Sequence, residues 1–315
     1  MNEKQPDLSV KLGPLELKNP VLAASGTFGY GQEFSDFVDL NLLGGIIVKG
    51  ISLKPMAGNP PPRIVETPCG MLNAIGLANI GLENFLKEKL PWLQKMKAAV
   101  IVNIYGHSID EYGAVAAGLK GVEGISAIEV NISCPNVERG GMAFGTDPYV
   151  SARVTEQVLK NSDKPVIVKL SPNVTDIKAV ATAVEKAGAH ALSLINTLTG
   201  MAIDIDARIP KLANVSGGLS GPAIRPVALY MVYQVVRAVH IPVIGVGGIM
   251  DYRDALEFLI AGARAIQVGT ANFVDKRVTL DIIEGLGRFC EDQRISKIEE
   301  IIGTLKINSV HPEMR

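Results

Sequence analysis

The sequence predicts an α/β fold, a (β/α)8 TIM barrel, and three observations lead to that prediction. Eight short apolar runs are typical of buried strands in a parallel sheet. Segments with helical patterns and recognisable helix starts separate these runs. A barrel of this type takes roughly 250 residues plus insertions, whereas an open doubly wound sheet usually needs fewer strands. We therefore expect one domain over the full 315 residues.

The predicted strands follow the chain in order after an N-terminal hairpin, VKLGPLELK, in which Gly13 and Pro14 make the turn. Each strand is a run of four to eight mostly apolar residues. The eight predicted strands are Pro20–Ser25, Gly44–Lys49, Ala98–Asn103, Ala127–Ile132, Pro165–Leu170, Ala189–Asn196, Pro242–Gly247 and Ala263–Gly269.

Helix boundaries are indicated by capping residues. The residues predicted to open helices are Ser108 with Glu111 as a capping box, Asp147 followed by Pro148, Thr175 and Asp251. Gly188 and Gly262 occupy matching positions in AGAHAL and AGARAI, where a helix ends and a strand begins. We expect both glycines to be left-handed residues at helix C-termini.

Two connections between the predicted elements are long. They cover about residues 50–82 after the second strand and 197–222 after the sixth strand. Both leave from the C-terminal ends of strands, the face at which such barrels carry out chemistry. These insertions are therefore predicted to be lids or walls of a site.

Polar residues at the C-terminal ends of the strands provide the main functional signal. Buried amides and ammonium groups cost several kcal/mol unless they are paired, so packing explains them poorly. Each Asn alone would also fit a turn, and each Lys a structural salt bridge, but their coincidence on one face indicates a polar ligand. The residues are Ser25, Lys49, Asn103, Asn131, Lys169, Asn196 and Thr197, with Gly247–Gly248 and Gly269–Thr270 at the last two strands.

The glycine pairs of the last two strands indicate a phosphate-bearing cofactor. Barrels commonly bind phosphate through backbone N–H groups after the seventh and eighth strands. The segment GVGG is not a dinucleotide fingerprint, because the third glycine of that motif would fall at Met250. Tight turning alone would also explain either pair.

Cys134 is a candidate general base, because it follows the fourth strand and precedes a glycine-rich segment. A thiol has an unperturbed pKa near ~8.5 and can be tuned to take a proton near neutral pH. A lone cysteine at a strand end is also commonly a small buried hydrophobic residue, and that alternative stays open.

Composition excludes several classes of protein. The formal net charge of -1 shows no bias towards nucleic acid. No stretch reaches the roughly 18 apolar residues of a membrane span and no signal peptide is indicated, so a soluble, cytoplasmic protein is expected. Cys69, Cys134 and Cys290 are too few for a disulfide framework or for the four ligands of an iron–sulfur cluster, and no metal site is predicted.

Several long motifs, in order, resemble one family. They are ASGTFGYG, VKGISLKP, GNPPPRIVETPCGMLNAIGLAN, NISCPN, VKLSPN, INT, GLSGPAIRP, GVGGI and QVGT. From about Leu8 to Gly285 the chain is similar to the FMN-containing class 1 dihydroorotate dehydrogenases, in particular the B-type catalytic subunits that work with NAD. The resemblance implies an oxidoreductase that binds one FMN and oxidises dihydroorotate to orotate in de novo pyrimidine biosynthesis.

The resemblance also implies the roles of site residues. The implied FMN-binding residues are Ser25, Lys49, Gly50, Asn103, Asn131, Lys169, Ile195, Gly221, Gly247, Gly248, Gly269 and Thr270. The implied substrate-binding residues are Lys49, Asn73, Ala74, Ile75, Gly76, Leu77, Asn131, Asn196 and Thr197. Cys134 would take the proton from C5 of dihydroorotate while a hydride passes from C6 to FMN, with Lys49 and Lys169 as the other catalytic residues.

Electron transfer to NAD requires a partner in this interpretation, because the chain has no dinucleotide fingerprint. The resemblance implies a homodimer of this chain that forms a heterotetramer with a subunit carrying FAD and a [2Fe-2S] cluster.

Other functions remain open from the residues. A fumarate-dependent dihydroorotate dehydrogenase or a dihydropyrimidine dehydrogenase-like enzyme would share the cysteine loop, although GNPPPRIVETP and the length favour the NAD-linked type. A Schiff-base aldolase would use Lys49 or Lys169 at a strand end, and borohydride would trap its adduct. A non-catalytic flavin- or phosphate-binding scaffold would hold flavin that no pyrimidine bleaches.

Overall fold

The structure is a computed structural model that describes residues 5–133, 135–136 and 142–307. Within these residues, eight parallel strands close into a barrel, so the predicted fold is confirmed. Each strand pairs with its neighbours in chain order, and the last strand closes the barrel with Ile266 opposite Val21. The barrel strands are β1 (Val21–Ala23), β2 (Gly45–Ile47), β3 (Ala99–Ile104), β4 (Ala127–Asn131), β5 (Val166–Lys169), β6 (Ala191–Leu194), β7 (Val243–Val246) and β8 (Ala265–Val268).

Helices pack around the barrel in chain order, with α3 against α4, α4 against α5, α5 against α6 and α6 against α7. The α-helices are α1 (Gly81–Asn84), α2 (Leu90–Leu93), α3 (Ile109–Leu119), α4 (Pro148–Asn161), α5 (Ile177–Lys186), α6 (Arg225–Val236), α7 (Tyr252–Ala261), α8 (Ala271–Val274) and α9 (Val278–Asp292). A π-helical segment, Phe85–Lys89, joins α1 to α2. The 3-10 helices are Gln32–Phe34, Leu40–Leu42, Phe144–Thr146, Pro222–Ile224 and Ile298–Ile301.

The barrel strands read as continuous apolar runs because both of their faces are covered. All four residues of β5 are buried, and so are all four of β6, β7 and β8. One face of each strand packs inside the barrel, and the other packs against the surrounding helices. This double burial explains why the strands could be recognised from local sequence.

The N-terminal hairpin forms as predicted, with Val10–Leu12 antiparallel to Leu15–Leu17. Gly13 adopts a positive φ of 59° in the turn. A Cβ atom at Gly13 would lie 3.1 Å from the carbonyl oxygen of His190, which directly precedes β6. The hairpin therefore covers the end of the barrel at which strands begin, and it leaves the C-terminal ends of the strands for a site.

Most of the predicted helix boundaries are confirmed. Asp147 and Asp251 are the N-caps of α4 and α7, and Gly188 and Gly262 have positive φ angles of 98° and 114°. Ser108 caps α3 by accepting a hydrogen bond from the Glu111 backbone N–H at 3.2 Å. The reciprocal bond of the predicted capping box goes elsewhere, because Glu111 Oε2 accepts from the backbone N–H of His107.

The predicted start of α5 at Thr175 is wrong by one residue. Asp176 is the N-cap, and its carboxylate accepts a hydrogen bond from the backbone N–H of Lys178 at 3.0 Å. Asp and Thr both serve as N-caps, so the local sequence TD allowed either position.

Both insertions meet over the C-terminal end of the barrel. Each contributes two strands to one antiparallel sheet, and the central pair joins the insertions with Leu72 opposite Leu219. The strands, in sheet order, are Leu198–Met201, Ser216–Ser220, Gly70–Asn73 and Ile64–Thr67. The prediction that the insertions form walls of the site is therefore consistent with this sheet.

Within the described ranges, two further strand pairs lie outside the barrel. They are Ile203–Asp204 with Ile209–Pro210 and Pro135–Asn136 with Met142–Ala143. Among the helices that the structure describes, none has the length and apolar character required to cross a membrane.

Candidate active site

A cavity of about 730 Å³ opens at the C-terminal ends of the barrel strands. All of the predicted site residues in the described part of the chain line it. They are Ser25, Lys49, Gly50, Asn73, Ala74, Ile75, Gly76, Leu77, Asn103, Asn131, Lys169, Ile195, Asn196, Thr197, Gly221, Gly247, Gly248, Gly269 and Thr270. Cys134 lies outside the described residues, although its neighbour Ser133 lines the cavity.

Lys169 ends β5 and lies almost fully inside the protein, at 6% exposure. Its Nζ atom lies 3.8 Å from Glu129 Oε1 and 3.4 Å from Ser25 Oγ. Desolvating an ammonium group is costly unless an opposite charge and hydrogen bonds compensate it. The ammonium group of Lys169 therefore lines the cavity while it is already paired with Glu129.

Glu129 is fully buried in β4, and both of its carboxylate oxygens are engaged. Asn103 Nδ2 donates to Oε1 at 2.7 Å, while Ser193 Oγ and Gln267 Nε2 donate to Oε2 at 2.8 and 2.7 Å. Sequence reasoning missed this residue because it lies within the apolar run AIEVN. The available signal was the glutamate itself, since a charged side chain is almost never fully buried without partners.

Lys49 follows β2 and differs from Lys169 in its surroundings. Its ammonium group forms no ion pair or hydrogen bond with any residue that the structure describes. Burial lowers the pKa of Lys49, and the nearby charge of Arg63 lowers it further, while Glu33 acts in the opposite direction. An anionic ligand would supply the missing partner.

The predicted asparagines are brought together beside Ser133. Asn131 Oδ1 accepts hydrogen bonds from the Ser133 backbone N–H at 3.1 Å and from Asn196 Nδ2 at 3.3 Å. Asn196 Nδ2 also donates to Ser133 Oγ at 2.9 Å. Among the described residues, the Asn131 NH₂ group has no acceptor, so it is available to a ligand.

The loop from Asn73 to Leu77 contributes backbone groups to the cavity. Gly76 and Leu77 both have positive φ angles, 71° and 59°, which are uncommon for a leucine. Hydrogen bonds to the Leu77 carbonyl oxygen from Tyr105 OH, at 2.7 Å, and from Asn79 Nδ2, at 2.9 Å, hold this conformation. The backbone N–H groups of Gly76 and Leu77 donate to none of the described residues, which leaves them free for an anion.

The ends of β7 and β8 form a cradle of backbone groups. Gly248 has a φ of 73°, and a Cβ atom there would lie 2.8 Å from the carbonyl oxygen of Gly221. The N–H groups of Gly248, Gly269 and Thr270 donate no hydrogen bond to the part of the chain that the structure describes. Because glycine has no side chain, a ligand can approach these free N–H groups closely. Such an arrangement suits a phosphate.

Sequence reasoning missed other residues of the cavity lining. Tyr105 and His107 follow β3 directly, so the polar aromatic residues of IYGHS after a strand end were a usable signal. The remainder come mainly from the insertions and helix starts, where no local pattern distinguishes them. The missed polar and sulfur-containing residues are Thr27, Met56, Asn59, Met71, Tyr105, His107, Ser133, Asn214, Ser220 and Met250.

Comparisons with known proteins show the family to which this chain belongs. The profile of the family described as Dihydroorotate dehydrogenase matches residues 7–290. Three relatives carry the name "Dihydroorotate dehydrogenase B (NAD(+)), catalytic subunit". The protein from Citrifermentans bemidjiense is 58% identical over 304 residues, covering 96% of this chain and 100% of its own length. That from Geotalea daltonii is 57% identical over 303 residues, covering 96% and 99%. The protein from Thermoanaerobacter sp. is 54% identical over 302 residues, covering 96% and 100%. The resemblance seen in the sequence is confirmed, and the chain belongs to the dihydroorotate dehydrogenase family.

Proposed function

We propose that this chain is the catalytic subunit of an NAD⁺-linked dihydroorotate dehydrogenase, which oxidises dihydroorotate to orotate in de novo pyrimidine biosynthesis. The observation that carries the proposal is one cavity with two kinds of polar group in the described residues. The first kind is the free backbone N–H groups of Gly248, Gly269 and Thr270, and the second is the side chains of Lys49 and Asn131.

The residues of the cavity fit one FMN per chain. Free N–H groups after β7 and β8 suit its phosphate, as in other barrels that bind phosphate there. Ser25, Gly50, Ile195, Gly221 and Gly247 complete the proposed FMN contacts. When bound, FMN supplies the acceptor for the hydride that leaves C6 of dihydroorotate. Lys169 presents a positive charge in the cavity, where it stabilises negative charge that develops on the ligand.

Dihydroorotate combines an imide edge with a carboxylate. Asn131 and Asn196 offer amide donors and acceptors, the complement of the imide edge. Lys49 and the N–H groups of Gly76 and Leu77 hold the carboxylate through charge-assisted hydrogen bonds. The proposed substrate contacts also include Asn73, Ala74, Ile75 and Thr197.

Cys134 is the proposed general base. It removes the C5 proton, so that the loss of this proton and of the C6 hydride leaves the C5–C6 double bond of orotate. Two facts support its place beside the substrate: it directly follows Ser133, which lines the cavity, and it lies three residues after the end of β4.

The proposal extends to a complex, since the relatives are named catalytic subunits. We infer a homodimer of this chain at the core of a heterotetramer, in which a second subunit with FAD and a [2Fe-2S] cluster passes electrons to NAD⁺. A single domain over the whole chain and a cytoplasmic location are parts of the same proposal.

An anaerobic absorbance titration tests the proposed activity. Dihydroorotate should bleach the flavin of the wild-type protein. Cys134→Ala should retain FMN and be reduced by dithionite, yet dihydroorotate should not bleach it at a comparable rate. Cys69→Ala is a matched control, because Cys69 is an exposed thiol that does not line the cavity. Bleaching of Cys134→Ala at the wild-type rate would show that this thiol is not the base.

A further inference from the structure

We propose that Glu129 is a positioning residue for the FMN site, one that orients Lys169 and Asn103 without contacting a ligand itself. The inference rests on the proposed function, because it takes the ligand beside Lys169 to be FMN. Glu129 is fully buried and is not among the residues that line the cavity.

Barrel closure places Glu129 at the centre of a polar layer. It lies opposite Asn103 of β3 in the strand register. Asn131, two residues further along β4, lies opposite Lys169 of β5. Side chains two residues apart on a strand share a face, so Glu129 and Asn131 both point to the same side of the sheet. Ser193 of β6 and Gln267 of β8, strands that do not pair with β4, also reach the carboxylate inside the barrel.

The two carboxylate oxygens have partners of different kinds. Oε1 is bonded to Asn103 and paired with Lys169, both of which line the cavity. Oε2 is bonded to Ser193 and Gln267, neither of which lines the cavity. One oxygen therefore anchors Glu129 in the barrel, and the other acts on the site.

A carboxylate only accepts hydrogen bonds, so it determines which way the Asn103 amide faces. The NH₂ group must point to Glu129, and the carbonyl oxygen must point away from it. That oxygen faces Gly50, where an added Cβ atom would lie 2.8 Å from Asn103 Oδ1. Glu129 thus presents Asn103 to the cavity as an acceptor for an N–H group of the ligand.

Lys169 depends on the same oxygen. Its side chain is long, and Glu129 and Ser25 are the partners that the described residues provide for its ammonium group. Attraction between charges is strong where water is excluded, and removing one member of a buried pair leaves the other unpaired. Loss of the carboxylate would therefore change both the placement of the Lys169 charge and the orientation of the Asn103 amide.

The test compares Glu129→Gln with Ser193→Ala. Glu129→Gln keeps the shape of the side chain but removes the charge at Oε1, whereas Ser193→Ala removes one bond from Oε2 only. The measurements are the FMN dissociation constant, from fluorescence titration of the apoprotein, and the melting temperature of the apoprotein. Glu129→Gln should weaken FMN binding about 10- to 100-fold. Ser193→Ala should lower the melting temperature but change FMN affinity less than about threefold.

A double variant tests whether Glu129 acts through Lys169. In Glu129→Gln/Lys169→Gln, FMN affinity should fall little further than in Lys169→Gln alone, because the two residues act as a unit. The comparison of the double variant with Lys169→Gln remains possible if Glu129→Gln alone does not fold. The double variant should fold because it leaves no unpaired buried charge. Full additivity of the two losses would overturn the proposal.

A second result would also overturn the proposal. In that result, Glu129→Gln and Ser193→Ala would lose FMN affinity in the same proportion to the melting temperature that each loses. Glu129 would then stabilise the barrel without acting on the site. Failure of the proposed function is a separate result, because it would be seen in the wild-type protein as bound FMN that dihydroorotate does not bleach.

Discussion

Lys49 follows β2 and Lys169 ends β5, yet their surroundings give the two lysines different chemical roles. Lys169 is nearly buried and paired with Glu129. Lys49 is half-buried, and its ammonium group has no partner among the described residues. Burial and the charge of Arg63 lower the pKa of Lys49. A lysine with a built-in partner holds its ammonium group in place beside a ligand, whereas one without a partner gains most from binding an anion.

The lowered pKa of Lys49 predicts a pH dependence of substrate binding. Raising the pH removes the ammonium proton, and the lowered pKa moves this loss below the ordinary lysine value of about 10.4. The dihydroorotate concentration for half-maximal flavin bleaching should therefore rise as the pH increases towards that value. Lys49→Met should raise that concentration about 10- to 100-fold at neutral pH and should abolish the alkaline rise.

Lys54→Met is the matched control, because Lys54 is an exposed lysine five residues after Lys49 that does not line the cavity. Its pH profile should match that of the wild type. An alkaline rise that persists unchanged in Lys49→Met would assign the titration to another group.

At the scale of the secondary-structure elements, the end of β7 depends on glycine at position 248 for two separate reasons. Gly248 needs a left-handed conformation, with a φ of 73°. It also lies against other atoms, since an added Cβ would meet Arg225 Cβ at 2.7 Å and the Gly221 carbonyl oxygen at 2.8 Å. The left-handed backbone affects the free energy of unfolding, while the lack of space for a Cβ atom affects the shape of the cradle.

Gly248→Ala and Gly121→Ala separate these two effects. Gly121 has a φ of 72°, and an added Cβ there would have no atom within 4 Å. Both variants should lose about 1–2 kcal/mol of unfolding free energy from the left-handed backbone. Only Gly248→Ala should also lose FMN affinity, by about 10-fold or more, because its neighbours must move. Titration of both apoproteins with FMN checks this, and equal affinities would show that the cradle tolerates a methyl group.

At the scale of the whole molecule, the insertions determine how enclosed the cavity is. Strands from residues 64–73 and 198–220 pair across the mouth of the barrel. Asn73 Nδ2 donates to the Gly218 carbonyl oxygen at 3.3 Å, so a proposed substrate residue is bonded to the opposite insertion. Electrons from the reaction must nevertheless leave this enclosed site for an acceptor. The chain has three cysteines and no dinucleotide fingerprint with which to bind NAD⁺ itself.

We therefore expect the purified chain alone to reduce artificial dyes with dihydroorotate but not NAD⁺. Co-expression with a flavin- and iron–sulfur-containing partner should restore NAD⁺ reduction. Parallel assays of the isolated chain with NAD⁺ and with fumarate test this expectation. Efficient turnover with either acceptor, in the absence of a second subunit, would contradict the two-subunit proposal.

The sequence by itself determined the barrel and the face that carries the site. Each parallel strand is buried on both faces, so it appears as a local apolar run such as VIVK at Val166–Lys169. Since all eight strands run in the same direction, polar residues at their C-terminal ends must meet on one face. That argument found Lys49, Asn131 and Lys169 without any knowledge of the strand pairing. Helix starts were predicted correctly where the sequence offered a single capping residue. The start of α5 was predicted one residue too early, because Thr175 and Asp176 are both suitable caps.

Only the tertiary structure decided how these residues are held. Glu129 contacts Ser193 and Gln267, which lie 64 and 138 residues away in the chain. Tyr105 reaches the Leu77 carbonyl oxygen, and the two insertions share one sheet. Local patterns report whether a residue is buried, because burial depends on the period of its own element. They do not report which distant groups share its surroundings, because those partners meet only when the barrel closes and fixes the strand register.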